Sequence, residues 1–139
     1  MINTNIPLEE LNKLSRNTMG EHLGIQFTEL GEHHICGEMP VDHRTMQPMG
    51  LLHGGASAVL AETLGSIGSY LCVDQEKQAC VGLNISCNHI RSAKGGIVKG
   101  KAILMHEGGK THIWNIDITN EQGLLICTSR LTVMVLDKK

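Results

Sequence analysis

One carboxylate interrupts an otherwise uncharged stretch. Between Arg44 and Asp74 the only acidic or strongly basic side chain is Glu62, set among Ala58, Val59, Leu60, Ala61 and Leu64. A charge in such surroundings is costly unless something holds or uses it. A carboxylate there could act as a general base toward water or attack an acyl carbon directly. Ser66 lies four residues on, on the same helical face, and could orient Glu62 or the water. Upstream, Gly54-Gly55 sits where a loop punctuated by Pro48 and Gly50 gives way to helix formers. Unpaired N–H groups at that helix start, reinforced by the helix dipole, could polarise a carbonyl oxygen as an oxyanion hole does. The plainer alternative is an ordinary glycine-rich helix start. Gln47 could donate to a carbonyl or hold water, or be polar surface. His53 could do likewise or serve as an acid, or only cap the helix.

A second group of residues suits anionic oxygens. His89-Ile90-Arg91-Ser92 combines a guanidinium and a hydroxyl at the end of a strand, the alternative being an exposed loop. Gly108, Gly109 and Lys110 make a flexible, singly basic turn that could do the same. His33-His34 lacks a metal-ligand pattern such as H-E-x-x-H and reads as surface. The five cysteines (Cys36, Cys72, Cys80, Cys87, Cys127) are odd in number and include no C-x-x-C pair. No metal site is expected from them, and buried reduced thiols are the reading.

These residues need a helix to carry them. The run after Gly55 has no breaker, is apolar on every side and is expected to be buried all round, ending near Leu71 to Val73. Small residues along it let other backbone approach closely. Gly54 and Glu62 are eight steps apart, so at about 1.5 Å per residue they stand roughly 12 Å apart along the helix. A single carbonyl carbon cannot reach both. If both act on one substrate, Glu62 comes from a second copy of the chain, and a homodimer with shared sites follows.

Elsewhere, Pro7 to Ser15 reads as a short amphipathic helix, after which Gly20 and Gly24 loosen the chain. Ile25 to Leu30 and His33 to Val41 read as paired strands. After the central helix come strands over Ala79 to Asn88, Ile97 to His106, His112 to Thr119 and Leu124 to Leu136. In the first of them Val81, Leu83, Ile85 and Cys87 are expected on one side. Hairpin-length links point to an antiparallel sheet, and a sheet curling around the helix gives an α+β fold.

One domain over residues 1–139 is the simplest organisation. A formal charge of -2 and aromatics at 2% give no case for nucleic acid. No secretion signal or bilayer-length apolar run is evident, so a cytoplasmic protein without membrane contact is expected.

Gln47-Pro48-x-Gly50-Leu-Leu-His53-Gly54-Gly55-Ala-Ser followed by Ala61-Glu62-Thr-Leu-Gly65-Ser66 resembles the hotdog-fold acyl-CoA thioesterases. The resemblance is to the branch of the 1,4-dihydroxy-2-naphthoyl-CoA hydrolases and enterobactin-proofreading thioesterases, related to the phenylacetate-pathway enzyme. It extends over His22-Leu23-Gly24-Ile25, Met39-Pro40-Val41-Asp42, Asn88-His89-x-Arg91-Ser92 and Ser129-Arg130-Leu131-Thr132. It implies a sheet wrapped around the central helix, dimers that pair into homotetramers, and hydrolysis of a CoA thioester with no metal or cofactor. By position, Glu62 would be the catalytic carboxylate and the Gly54 N–H the carbonyl's partner. Gln47, His53 and Ser66 would assist. Val81, Gly82, His89, Ile90, Arg91 and Ser92, with the turn through His106, Gly108, Gly109, Lys110 and Thr111, would contact CoA.

The expected activity is therefore hydrolysis of an aryl-CoA (naphthoyl or benzoyl type) or a medium-chain acyl-CoA to free acid and CoA. An acyl-carrier protein in place of CoA is left open. The alternatives are an acyl-thioester hydratase or dehydratase on the same fold, and an acyl-CoA-binding protein without turnover.

Overall fold

The structure, a computed structural model, describes all 139 residues. Two short helices, α1 (Leu8–Lys13) and α2 (Met19–His22), precede a hairpin of β1 (Gln26–Leu30) and β2 (His34–Pro40). The long helix α3 (Gly54–Tyr70) follows, then β3 (Gln78–His89), β4 (Ile97–Glu107), β5 (Thr111–Thr119) and β6 (Leu125–Asp137). All six strands join one antiparallel sheet in the order β1-β2-β4-β5-β6-β3. β1 and β3 are its edges, so the twelve-residue β3 has a hydrogen-bonded neighbour on one side only.

Alternation in the strands supplies the surface on which α3 lies. Ile35, Met39, Val98, Ala102, Trp114, Ile116, Ile118, Leu131 and Val133 all point inward and are buried, and from the helix Leu60, Ala61 and Leu64 meet them. Full burial of a leucine contributes about 1.5–3 kcal/mol, so Leu60 and Leu64 alone anchor the helix firmly. Gly37 on β2 and Gly100 on β4 are paired across the sheet, and a Cβ on either would run into the Leu64 methyls at 2.8 and 2.7 Å. This glycine pair is the notch into which Leu64 seats. At the other end of α3, Ser69 Oγ accepts from Trp114 Nε1 at 2.8 Å and is bonded to His112 Nδ1 at 2.9 Å, pinning the last turn to β5.

Three expectations need correction. First, α3 is not buried all round. Ala58, Val59, Glu62, Thr63, Ser66 and Ile67 are only half-buried, because one sheet can cover only one side of a helix. Second, Val81 and Leu83 do not share a side with Ile85 and Cys87. The register slips between Gly82 and Asn84, so Leu83 is an extra residue. Gly82 then pairs with buried Val133 and Ile85 with buried Leu131, while Val81 and Leu83 are exposed. Third, the segment between α1 and β1 contains a helical turn, α2, started by Thr18, whose hydroxyl accepts from the Glu21 N–H.

All five cysteines are free thiols; Cys127 is buried and the others half-buried. No helix is long and apolar enough to cross a membrane.

Candidate active site

The first turn of α3 accounts for its own N–H groups almost completely. The His53 Nδ1 accepts from the Gly55 N–H at 2.8 Å, and the His53 carbonyl accepts from Ala56 and Ser57 at 3.0 and 3.3 Å. The Gly54 N–H has no acceptor in the chain. His53 is thus the helix cap, with its Nε2 left to carry the ring proton. One donor, at Gly54, remains at the positive end of the helix dipole.

Gln47 stands beside that donor. Its side-chain oxygen accepts from the Met49 N–H at 2.5 Å and the Leu51 N–H at 3.4 Å, shaping the loop that leads to α3. With the oxygen taken, the NH2 end is the part of Gln47 available to a ligand, and it can only donate. Gln47, Gly54, His89, Ile90, Arg91 and Ser92 line one cavity of about 360 Å3. The His89 ring lies over Gly54, where a Cβ would come within 2.8 Å of its Nε2. Arg91 Nη1 donates to the Leu125 carbonyl at 2.8 Å, which ties the arm back to the sheet.

Glu62 faces a different cavity, of about 520 Å3, together with Ser66. No hydrogen bond joins the two side chains. The Glu62 carboxylate packs on the bare backbone of Gly82, where any Cβ would collide with it. The walls of this cavity are Val59, Thr63 and Ile67 from α3, and Leu14, Ser15, Thr18, Met19 and Gly20 from the segment over α1 and α2. Sequence reasoning passed over these. Val59 and Ile67 sit three and five positions from Glu62 and are reachable by helical spacing, and Thr63 follows it directly; the α1–α2 wall has no local signal.

The remaining candidates lie apart. Val81 points away from α3 on the free edge strand. Gly109, Lys110 and Thr111 line a groove with Gln78 and the end of β6. His106 and Gly108 belong to the same β4–β5 turn, with the Gly108 N–H bonded to the Thr111 carbonyl. That turn adjoins His112 and the tail of α3, whereas His89 to Ser92 adjoin its head. Within one chain, therefore, neither Glu62 and Gly54 nor the two sets of anion-binding candidates share a cavity.

The family model described as "Thioesterase superfamily" matches residues 49–127. The chain is 48% identical to the 1,4-dihydroxy-2-naphthoyl-CoA hydrolase of Escherichia coli, over 94% of this chain and 96% of that one. It is 50% identical to the proofreading thioesterase EntH of Cronobacter sakazakii, over 93% of each. A thioesterase of Pseudomonas aeruginosa, solved as a glutamine-to-alanine variant, matches with a TM-score of 0.96 at 44% identity and 99% of both chains. A thioesterase of Staphylococcus aureus matches with a TM-score of 0.85 at 38% identity, over 86% of this chain and 99% of that one. It was solved both as a glutamate-to-alanine and as a glutamine-to-alanine variant, the two positions lying fifteen residues apart.

Proposed function

Since the chain belongs to the thioesterase superfamily, with its hotdog fold and its hydrolysis of thioester bonds, we propose that it cleaves aromatic acyl-CoA thioesters at sites shared between two copies of itself. The observation that carries the reading is the split site: Glu62 opens into one cavity, and Gly54 with Gln47 into another. Each half is chemically incomplete. Two further features support pairing of two chains. The half-buried face of α3 carries Glu62 beside the free edge of β3. An edge strand this long and this apolar on its outer side, with Val81 and Leu83 exposed, also calls for a partner. Two-fold pairing of β3 with its copy sets two α3 helices side by side and head to tail, bringing Glu62 of one chain toward Gly54 of the other. Pairing of such dimers into homotetramers is part of the same reading.

In the assembled site the thioester carbonyl oxygen lies at the Gly54 N–H, with the Gln47 NH2 as a second donor. Glu62 of the other protomer acts on the carbonyl carbon, by activating water or by direct attack. The sulfur leaves with CoA, whose pantetheine and phosphates run along His89 to Ser92 and the partner's β4–β5 turn. No metal or cofactor takes part. The interval between Gln47 and Glu62 is fifteen residues, matching that between the two positions substituted in the Staphylococcus thioesterase. An aromatic acyl group is favoured by the naphthoyl-CoA hydrolase as a relative at 48% identity, and the Glu62 cavity is large and mostly apolar.

The test is thiol release from a panel of benzoyl-, naphthoyl- and medium-chain acyl-CoA esters, ranked by kcat/KM. Aryl esters should lead, and Glu62→Ala should remove nearly all turnover while the variant remains folded. Preference for straight-chain esters would overturn the substrate assignment, and full activity in Glu62→Ala would overturn the mechanism.

A further inference from the structure

We propose that Glu29, His34 and Cys36 form a surface site for one Zn2+ ion on the β1–β2 hairpin. A carboxylate oxygen, an imidazole nitrogen and a thiol sulfur lie there within 4.8 Å of one another. The placement follows from the strands. His34 and Cys36 are two residues apart on β2 and so share its outer face, while Ile35 between them is buried. A register slip between Phe27 and Glu29 sets Glu29 directly opposite Cys36. Glycine at position 31 lets the His34 ring fold over the turn, where any Cβ would collide with it.

In this arrangement His34 Nε2 is 2.6 Å from Glu29 Oε2, and Cys36 Sγ is 3.7 Å from the same oxygen. Tetrahedral zinc with bonds of about 2.0–2.3 Å needs its donors roughly 3.3–3.8 Å apart. The sulfur already satisfies this, and the imidazole has only to draw back by about an ångström. The mixed nitrogen, sulfur and oxygen set suits Zn2+ better than Mg2+ or Ca2+. One carboxylate and one thiolate neutralise the ion. Lys101, opposite Cys36 on β4, therefore faces a neutral complex; Glu38 and Lys99 lie one step further along the same face. The fourth position opens to water, because the Glu29 side chain is exposed. The pattern hid from sequence reasoning because only His34-x-Cys36 is local; the third ligand arrives across the hairpin.

The test is titration of the reduced protein with Co2+ and Zn2+. One ion should bind per chain, with a thiolate-to-cobalt charge-transfer band in the near ultraviolet. Cys36→Ser should abolish the band, and His34→Ala and Glu29→Gln should each weaken binding at least tenfold. Zinc at about a hundredfold excess over Kd should raise Tm by roughly 5–10 °C, an effect absent in Cys36→Ser. Thioester hydrolysis should be unchanged in all three variants. The proposal falls if the wild type binds no stoichiometric ion, or if the band survives in Cys36→Ser and so belongs to another cysteine.

Discussion

Replacing Gly54 by proline removes one atom of chemical interest and little else. Gly54 is the first residue of α3, and His53 before it has φ -68 and ψ 129, the extended conformation that a following proline requires. Proline is at home at the first helical position, where its missing N–H has no helical acceptor in any case. No hydrogen bond of the chain is lost, since the Gly54 N–H makes none. The added Cβ meets the His89 ring, an exposed side chain, and Gly54→Ala introduces the same Cβ while keeping the donor. Loss of a single oxyanion-hole donor lowers kcat by about 10²–10³, or roughly 2.7–4 kcal/mol of barrier. Gly54→Pro should therefore be slower than Gly54→Ala by that factor in a thiol-release assay, with Tm within about 4 °C of wild type. Co-expression of Gly54→Pro with Glu62→Ala extends the experiment. Random pairing makes half the dimers mixed, and each mixed dimer has one sound site of two. About a quarter of wild-type activity should return. A Gly54→Pro enzyme as fast as Gly54→Ala refutes the carbonyl-binding role, and absence of recovery in the mixture refutes sharing between chains.

Other expectations concern the frame around the site. Gly82→Val drives a side chain into the Glu62 carboxylate and should lower kcat by at least an order of magnitude, with folding checked by circular dichroism. His53→Ala deletes the cap on Gly55 and should cost about 0.5–2 kcal/mol in a urea titration. Burial holds the His112 imidazole below its ordinary pKa of 6.5. The folded state then binds fewer protons than the unfolded one, so the His112 contribution is fully present above pH 6.5 and is lost as pH falls below it. The urea midpoint should drop between pH 7.5 and 5.5, less steeply in His112→Asn.

Much of this was legible in the chain because strands and helices announce themselves by period. Trp114, Ile116 and Ile118 alternate without interruption, and β5 forms where they predict. The carboxylate at Glu62 was conspicuous because nothing around it is charged. Other features arise between segments and leave no local trace. The extra residue at Leu83 turns Val81 away from Ile85, and a one-residue slip is invisible to a pattern read at period two. The all-round apolarity of α3 reads as burial, yet one chain covers only one side of the helix. For His53 the sequence left a cap and a chemical role open, and the Nδ1 contact with Gly55 shows the cap. The orientation of the Gln47 amide depends on which loop N–H groups reach it.

That last contact has a consequence for ageing of the protein. Deamidation of Gln47 would leave in place the oxygen that Met49 and Leu51 hold. The loop would keep its shape, and melting curves would register little. In the proposed site the new anion would nonetheless stand where negative charge develops on the ester oxygen, and the donor would be gone. Such molecules would purify, crystallise and melt as the sound ones do, so only an active-site titration would reveal how much of a stored preparation had fallen silent.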